Sequence, residues 1–203
     1  MFRNVFLVPG IMMLAACGGS SSNDSSDDAA KSLEETAVSV EFSAVVASEA
    51  LACDTDYAGL GTADTTSQIK DFRMFVHAIE LITSADEAVA VTMDDSPWQS
   101  QGVALLDFED ATGACTGTAE TNNVVTGTIP ATDAEFTGVR FVVGVPEALN
   151  HLEQATVSPF NVTGMNWGWT GGYKFIRFDI PDWNVHIGAT GCTANATGAA
   201  GRR

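Results

Sequence analysis

Phe72 to Ile82 reads FRMFVHAIELI, and this run decides the fold. Aromatic and β-branched residues recur at every second position, which predicts one long strand with Phe75, His77, Ile79 and Leu81 on one face. The same period of two continues in both directions. Upstream, Val38, Val40, Phe42 and Ala44 alternate with Ser39, Glu41 and Ser43. Downstream, strands are predicted at Ala88–Met93, Gly102–Phe108, Asn123–Ile129, Gly138–Val145, Tyr173–Ile180 and Asn184–Gly188. Turn formers such as Asp94-Asp95-Ser96-Pro97, Thr112-Gly113 and Gly171-Gly172 separate them. No segment carries a sustained 3.6-residue apolar repeat; one helical turn fits within Glu147–Thr156. Many short strands at this spacing predict an all-β fold. The expected form is an antiparallel β-sandwich of Greek-key, immunoglobulin-like topology with long loops.

The first residues belong to something else. MFRNVFLVPGIMMLAACGGSSS offers Arg3, then an apolar run from Val5 to Ala16 too short to span a bilayer permanently. Leu14-Ala15-Ala16-Cys17 has the form of a bacterial lipobox, so residues 1–17 are read as an export signal ending at a lipidated Cys17. An ordinary signal peptide with a chance cysteine is the plainer alternative. Gly18 follows, with no early aspartate, which favours the outer membrane of a Gram-negative cell, on its periplasmic side or surface. Residues 18–36 are small, acidic and poor in anything to bury, as a flexible tether would be. Residues 37–203 then form a single domain by length.

The chain carries 26 acidic and 9 basic residues, a formal charge of −17. A nucleic-acid partner would require a cationic contact face, so that class is excluded. Cys53, Cys115 and Cys192 remain once Cys17 is assigned to lipid, and three thiols in an oxidising compartment leave one without an intramolecular partner. No spacing of cysteines and histidines suits structural zinc. Hydrolase signatures are missing too: there is no GxSxG elbow and no HExxH. The acidic run Leu106-Asp107-Phe108-Glu109-Asp110 could ligate calcium through its oxygens. It lacks EF-hand spacing and reads better as a strand end with a solvated face.

Only three histidines exist. His77 lies mid-strand, where a charged imidazole would be costly, so it is either a neutral hydrogen-bonded core residue or a metal ligand. His151 sits in the loop VPEALNHLEQ, and His186 in WNVHIGATGC; a solvated polar role is the plain alternative for His151. Among four tryptophans, Trp167 and Trp169 would share one face if their segment is extended. That pair is either a hydrophobic plug at the sandwich edge or an aromatic wall beside a metal or redox partner.

Taken together, CDTDYAGLGT, DFRMFVHAIELI, WQSQGVALLDFEDATGAC, GTAETNNVVTG, TGVRFVVGVPEALNH, NWGWTGGYKFIRFDI and NVHIGATGC resemble the metallo-mystery-pair family with a four-cysteine motif, the MbnP-like copper-binding proteins. The segments occur in the family's order from Val38 to Cys192. The resemblance implies an extracytoplasmic copper-binding β-sandwich without catalytic turnover. It also implies a di-haem cytochrome c peroxidase-like partner that oxidises a tryptophan of the copper protein to kynurenine. Carried over residue by residue, His77, His151 and His186 are the candidate copper ligands, and imidazole suits both copper oxidation states. Trp98 and Trp169 are both open as the modified tryptophan. The family's fourth cysteine would follow Cys192 and is not found here, so the resemblance leaves Cys53 to pair with Cys115 and Cys192 without a partner. Asn166 stands where the family commonly has an aromatic residue. The rival from another class is a structural or adhesive surface lipoprotein that binds no transition metal, or binds calcium.

Overall fold

The computed structural model describes residues 5–6, 34–152, 156–168, 170–181 and 183–188. In chain order the elements are β1 (Val5–Phe6), β2 (Glu35–Glu41), β3 (Val45–Val46), β4 (Glu49–Ala50), β5 (Tyr57–Leu60), β6 (Thr65–Ser67), β7 (Asp71–Thr83) and β8 (Ala88–Ala90). They continue with β9 (Thr92–Met93), β10 (Gln99–Ser100), β11 (Val103–Asp107), β12 (Val124–Pro130), β13 (Phe136–Val143), α1 (Glu147–Asn150), β14 (Lys174–Ile180) and β15 (Trp183–Gly188). The domain's first strand thus begins at Glu35, slightly inside the stretch read as tether. Val5–Phe6, within the stretch read as export signal, pairs with Ser39 and Val40 at the edge of β2.

All pairings are antiparallel. Of the two main sheets, one runs β1-β2-β12-β9 and the other runs β10-β11-β7-β14-β15, with β8 and β13 also paired to β7; β3-β4 and β5-β6 form two separate short pairs. The expected sandwich is present. Its inner core joins Val38 and Val40 of β2 and Val125 and Ile129 of β12 to Val76, Ile79, Leu81, Ala104 and Leu106 of the facing sheet. Each large apolar side chain fully buried this way contributes roughly 1.5–3 kcal/mol. A second apolar cluster lies on the other face of the larger sheet. There Phe75, Val103 and Leu105 pack under Val145, Phe160, Met165 and Tyr173 from the segment after β13. The larger sheet is therefore covered on both faces, and β11 is buried at all five positions.

The long strand differs from its sequence reading in one respect. Phe75 and His77 do not share a face with Ile79 and Leu81. Ala78 has φ 48, and opposite it the ladder to β13 steps from Arg140↔Glu80 to Val142↔His77. Ala78 and Ile79 of β7 thus lie opposite Phe141 alone on β13, which is a β-bulge. The extra residue inverts the alternation, so Val76 joins Ile79 and Leu81 in the inner core while Phe75 joins the outer cluster. His77 goes with Phe75.

Two further expectations are corrected. The acidic run after Leu106 is not a solvated strand end: Asp107 is 1% and Glu109 0% exposed. The Trp167 segment is not extended. Trp167 N donates to Gly172 O (2.9 Å), Gly168 has φ 87, and Asn166 bridges Tyr173, so the chain turns back on itself there. Trp169 lies outside the described residues, as do Cys17, Cys192 and the tether up to residue 33.

Cys53 and Cys115 are joined in a disulfide, as the resemblance implied. It ties the loop after β4 to the loop after β11. Closing a sequence separation of 62 residues restricts the unfolded chain by about 4 kcal/mol in the loop-entropy model.

Candidate functional site

Both the outer apolar cluster and a set of buried charges sit on one face of the larger sheet. In strand register, Asp107 pairs with Arg73, Arg73 with Arg177, and Arg177 with His186, so one row crosses β11, β7, β14 and β15. Asp71 and Asp179 form the neighbouring row. Arg73 Nε donates to Asp71 Oδ1 (2.9 Å), and a second bond runs from Arg73 Nη2 to Asp71 Oδ2. Arg177 Nη1 lies 3.1 Å from Asp71 Oδ2, and Arg177 Nε donates to Asp179 Oδ2 at 2.8 Å. Asp179 Oδ1 is 2.8 Å from His186 Nε2. The row is roofed by the segment carrying Gly164. That residue has φ 87, and a Cβ there would lie 2.3 Å from Arg177 Nη1, so only glycine allows this approach.

Burial tunes these groups. Desolvation works against the Arg73 charge, yet the hydrogen bond and charge of Asp71, with Asp107 and Glu109, raise it above the ordinary value. Asp107 is pushed up to about 7, chiefly by desolvation, against which the Arg73 charge pulls. Its Oδ1 accepts from Glu109 N (3.2 Å), while Oδ2 is buried without a hydrogen-bond partner among the described residues. Glu109 is cradled differently: its carboxylate accepts from Ala111 N, Gly117 N and Thr118 N at 3.0–3.2 Å. Lys174 is lowered by desolvation and by the charge of Arg177, and its Nζ stands 5.8 Å over the Trp167 ring.

The three candidate histidines occupy this face and the loop beside it. His77, set by the bulge, is flanked in register by Val103 and Val142. Its Nδ1 is 2.9 Å from Gly144 O, the carbonyl from which the segment carrying His151 departs. Gly144 has φ 127, and a Cβ there would meet the Phe175 ring at 2.6 Å, which fixes where that carbonyl points. His151 follows α1; its Nε2 is 3.1 Å from Asn150 Nδ2. Asn150 is buried and accepts from Tyr173 N (2.9 Å). His77 and the start of the His151 segment are therefore brought together, whereas His186 is drawn into the charge row. Trp98 is half-buried at the margin of the outer cluster, its backbone bonded to Leu105.

For copper, the donor chemistry is suitable and the arrangement is not ready-made. Among the described residues no group of three or more His, Cys, Asp or Glu side chains is placed to hold one metal ion. The same finding gives no support to a calcium site in the acidic run. The charge row escaped the sequence reading altogether. Its signal was a charged residue at every second position of two strands, Asp71/Arg73 and Arg177/Asp179, each of which reads as a solvated face.

A two-sheet antiparallel sandwich, disulfide-tied, with histidines around one covered sheet face is the class these features define. Residues 35–200 match the family model MbnP, and the chain belongs to the MbnP family. Among solved structures it is similar to MbnP from Methylosinus trichosporium, at 25% identity and a TM-score of 0.64, over 77% of this chain. It spans 63% of that protein's length. No curated protein matches the chain.

Proposed function

We propose that this chain is an extracytoplasmic copper-binding lipoprotein of a methanobactin-related system. It is tethered through Cys17, has no turnover of its own, and works with a di-haem cytochrome c peroxidase-like partner. The observation that carries the proposal is family membership over residues 35–200, a span that includes all three histidines. His77, His151 and His186 supply imidazole donors, which hold both Cu(I) and Cu(II). Protons compete for the same lone pairs, so uptake falls as pH drops. Trp98 or Trp169 is the tryptophan for the partner to oxidise.

Titration calorimetry with Cu(I) and Cu(II) on the wild type and on the His77→Ala/His151→Ala/His186→Ala variant tests this. One copper per wild-type chain and a large loss in the variant is the expected result. Equal uptake by both proteins refutes the histidine site. The scattered imidazoles favour a second reading, a surface lipoprotein of structural or adhesive role, for which neither protein takes up copper. Labelling with a radioactive fatty acid, lost in Cys17→Ser, tests the anchor.

A further inference from the structure

We infer that Asp179 is a positioning residue that fixes the tautomer of His186, leaving Nδ1 as the nitrogen this side chain can offer to a metal. The metal half of the inference rests on the copper reading above. It also gives a structural cause for the absence of a ready-made three-imidazole centre: one edge of His186 is already claimed by the charge row.

The assignment follows from donor and acceptor capacity. A guanidinium has only donors, and an ionised carboxylate has only acceptors. Arg177 Nε occupies Asp179 Oδ2 at 2.8 Å, and Arg177 is itself held by Asp71, which Arg73 grips in turn. Asp179 Oδ1 is therefore left to accept, and the group it meets at 2.8 Å is His186 Nε2. That nitrogen must carry the proton, so the lone pair of the neutral ring sits on Nδ1. Asp179 is 5% exposed, and the His186 side chain is 17% exposed, so water competes weakly for this bond. His77 is locked in the opposite sense. Its Nδ1 faces Gly144 O, an acceptor, which places the proton on Nδ1 and the lone pair on Nε2. A carboxylate or carbonyl behind a ligating histidine is the usual device that sets ring orientation and tautomer at metal sites.

The test uses ¹⁵N-labelled protein without metal at pH 8.5, above the ordinary imidazole range. With only three histidines in the chain, long-range ¹H–¹⁵N correlation resolves every ring nitrogen, and His186→Gln identifies the signals of that residue. The wild type should show His186 protonated at Nε2 and His77 at Nδ1. In Asp179→Asn the single amide oxygen is claimed by Arg177, so the amide NH2 turns to His186 Nε2 and the ring proton moves to Nδ1. Asp179→Glu keeps both acceptor oxygens and the wild-type tautomer. A wild-type His186 protonated at Nδ1 overturns the inference, even if Asp179→Asn does not fold; so does an Asp179→Asn variant whose tautomer is unchanged. Copper provides the second readout. Cu(I) affinity should fall about 10–100-fold in Asp179→Asn and recover in Asp179→Glu. Unchanged affinity beside an inverted tautomer refutes Nδ1 as the donor. If the wild type takes up no copper, the metal half falls together with the proposed function, whereas the metal-free tautomers are decided independently.

Discussion

Replacing Asp107 by Asn should stabilise the protein above neutral pH and do little at pH 4. Asp107 sits at the end of β11 with one carboxylate oxygen bonded to Glu109 N and the other buried without a partner among the described residues. Desolvation raises its carboxyl from an ordinary 3.8 to about 7 in the fold. The folded state therefore binds this proton more tightly than the unfolded chain between those values, and stability is lost as pH rises through that window. Below about 4 both states are protonated and the contribution vanishes; above about 7 the full cost is felt. Three pH units at 1.36 kcal/mol each give about 4 kcal/mol as the upper bound. A buried acceptor left unsatisfied costs ~1–3 kcal/mol by itself. The expected gain for Asp107→Asn at pH 8.5 is thus about 2–4 kcal/mol, because the amide keeps the oxygen that Glu109 N needs and carries no charge. Urea unfolding of both proteins at pH 4.5, 6, 7 and 8.5, disulfide intact, reads the difference directly; subtracting the curves cancels the remaining carboxylates. A difference that stays constant with pH, or a variant weaker at pH 8.5, would refute the reasoning.

Other outcomes follow from the same geometry. Cys53→Ala/Cys115→Ala should lower stability by about 4 kcal/mol, and peptide mapping without reductant should recover the Cys53–Cys115 pair; Cys192 joined to either residue would overturn that pairing. Ala78→Gly should be neutral or gain up to about 1 kcal/mol, since φ 48 suits glycine; a clear loss in thermal unfolding would mean the bulge is not where it is described. Gly144→Ala should destabilise, because its Cβ would lie 2.6 Å from the Phe175 ring, and should disturb the His77 ring signals as the Gly144 carbonyl moves. Unchanged melting and unchanged His77 signals would speak against that contact.

The strands were legible because burial on alternate positions writes itself into composition: β7, β11, β12, β13 and β14 lie within two residues or so of where period-two patterning put them. The face of His77 was not legible. A bulge at Ala78 costs one residue and leaves no compositional mark, yet it reverses every side chain beyond it. The charge row was hidden for a different reason. Asp71, Arg73, Arg177 and Asp179 become a buried set only when β7 and β14 pair in one particular register, and charges at alternate positions ordinarily signal solvent. Asp107 and Glu109 misled similarly: the loop after β11 folds its own backbone N–H groups, from Ala111, Gly117 and Thr118, onto Glu109, and only the pairing of β11 with β7 sets Arg73 beside Asp107. The histidines were found by type, but not their partners: Gly144 O reaches His77 only through the tertiary fold, and Asp179 reaches His186 only in the register of the β14–β15 hairpin.

Burying the charge row also depletes the outside of cations. The described residues contain five lysines and arginines, namely Lys70, Arg73, Arg140, Lys174 and Arg177. Arg73 and Lys174 are buried and the Arg177 side chain is 19% exposed, while Arg140 is engaged by Glu80 at 2.6 Å. What the described domain presents to solvent is thus a nearly one-signed shell of carboxylates. Two copies approaching one another through the described domain meet no complementary cationic patch among the described residues, and repel once they come within about 8 Å at physiological ionic strength, since salt screens the charges beyond that distance. Such a surface keeps crowded molecules apart. It also strains the compact state through its own field, so melting temperature should climb with added sodium chloride and level off once the Debye length falls to about 3 Å near 1 M.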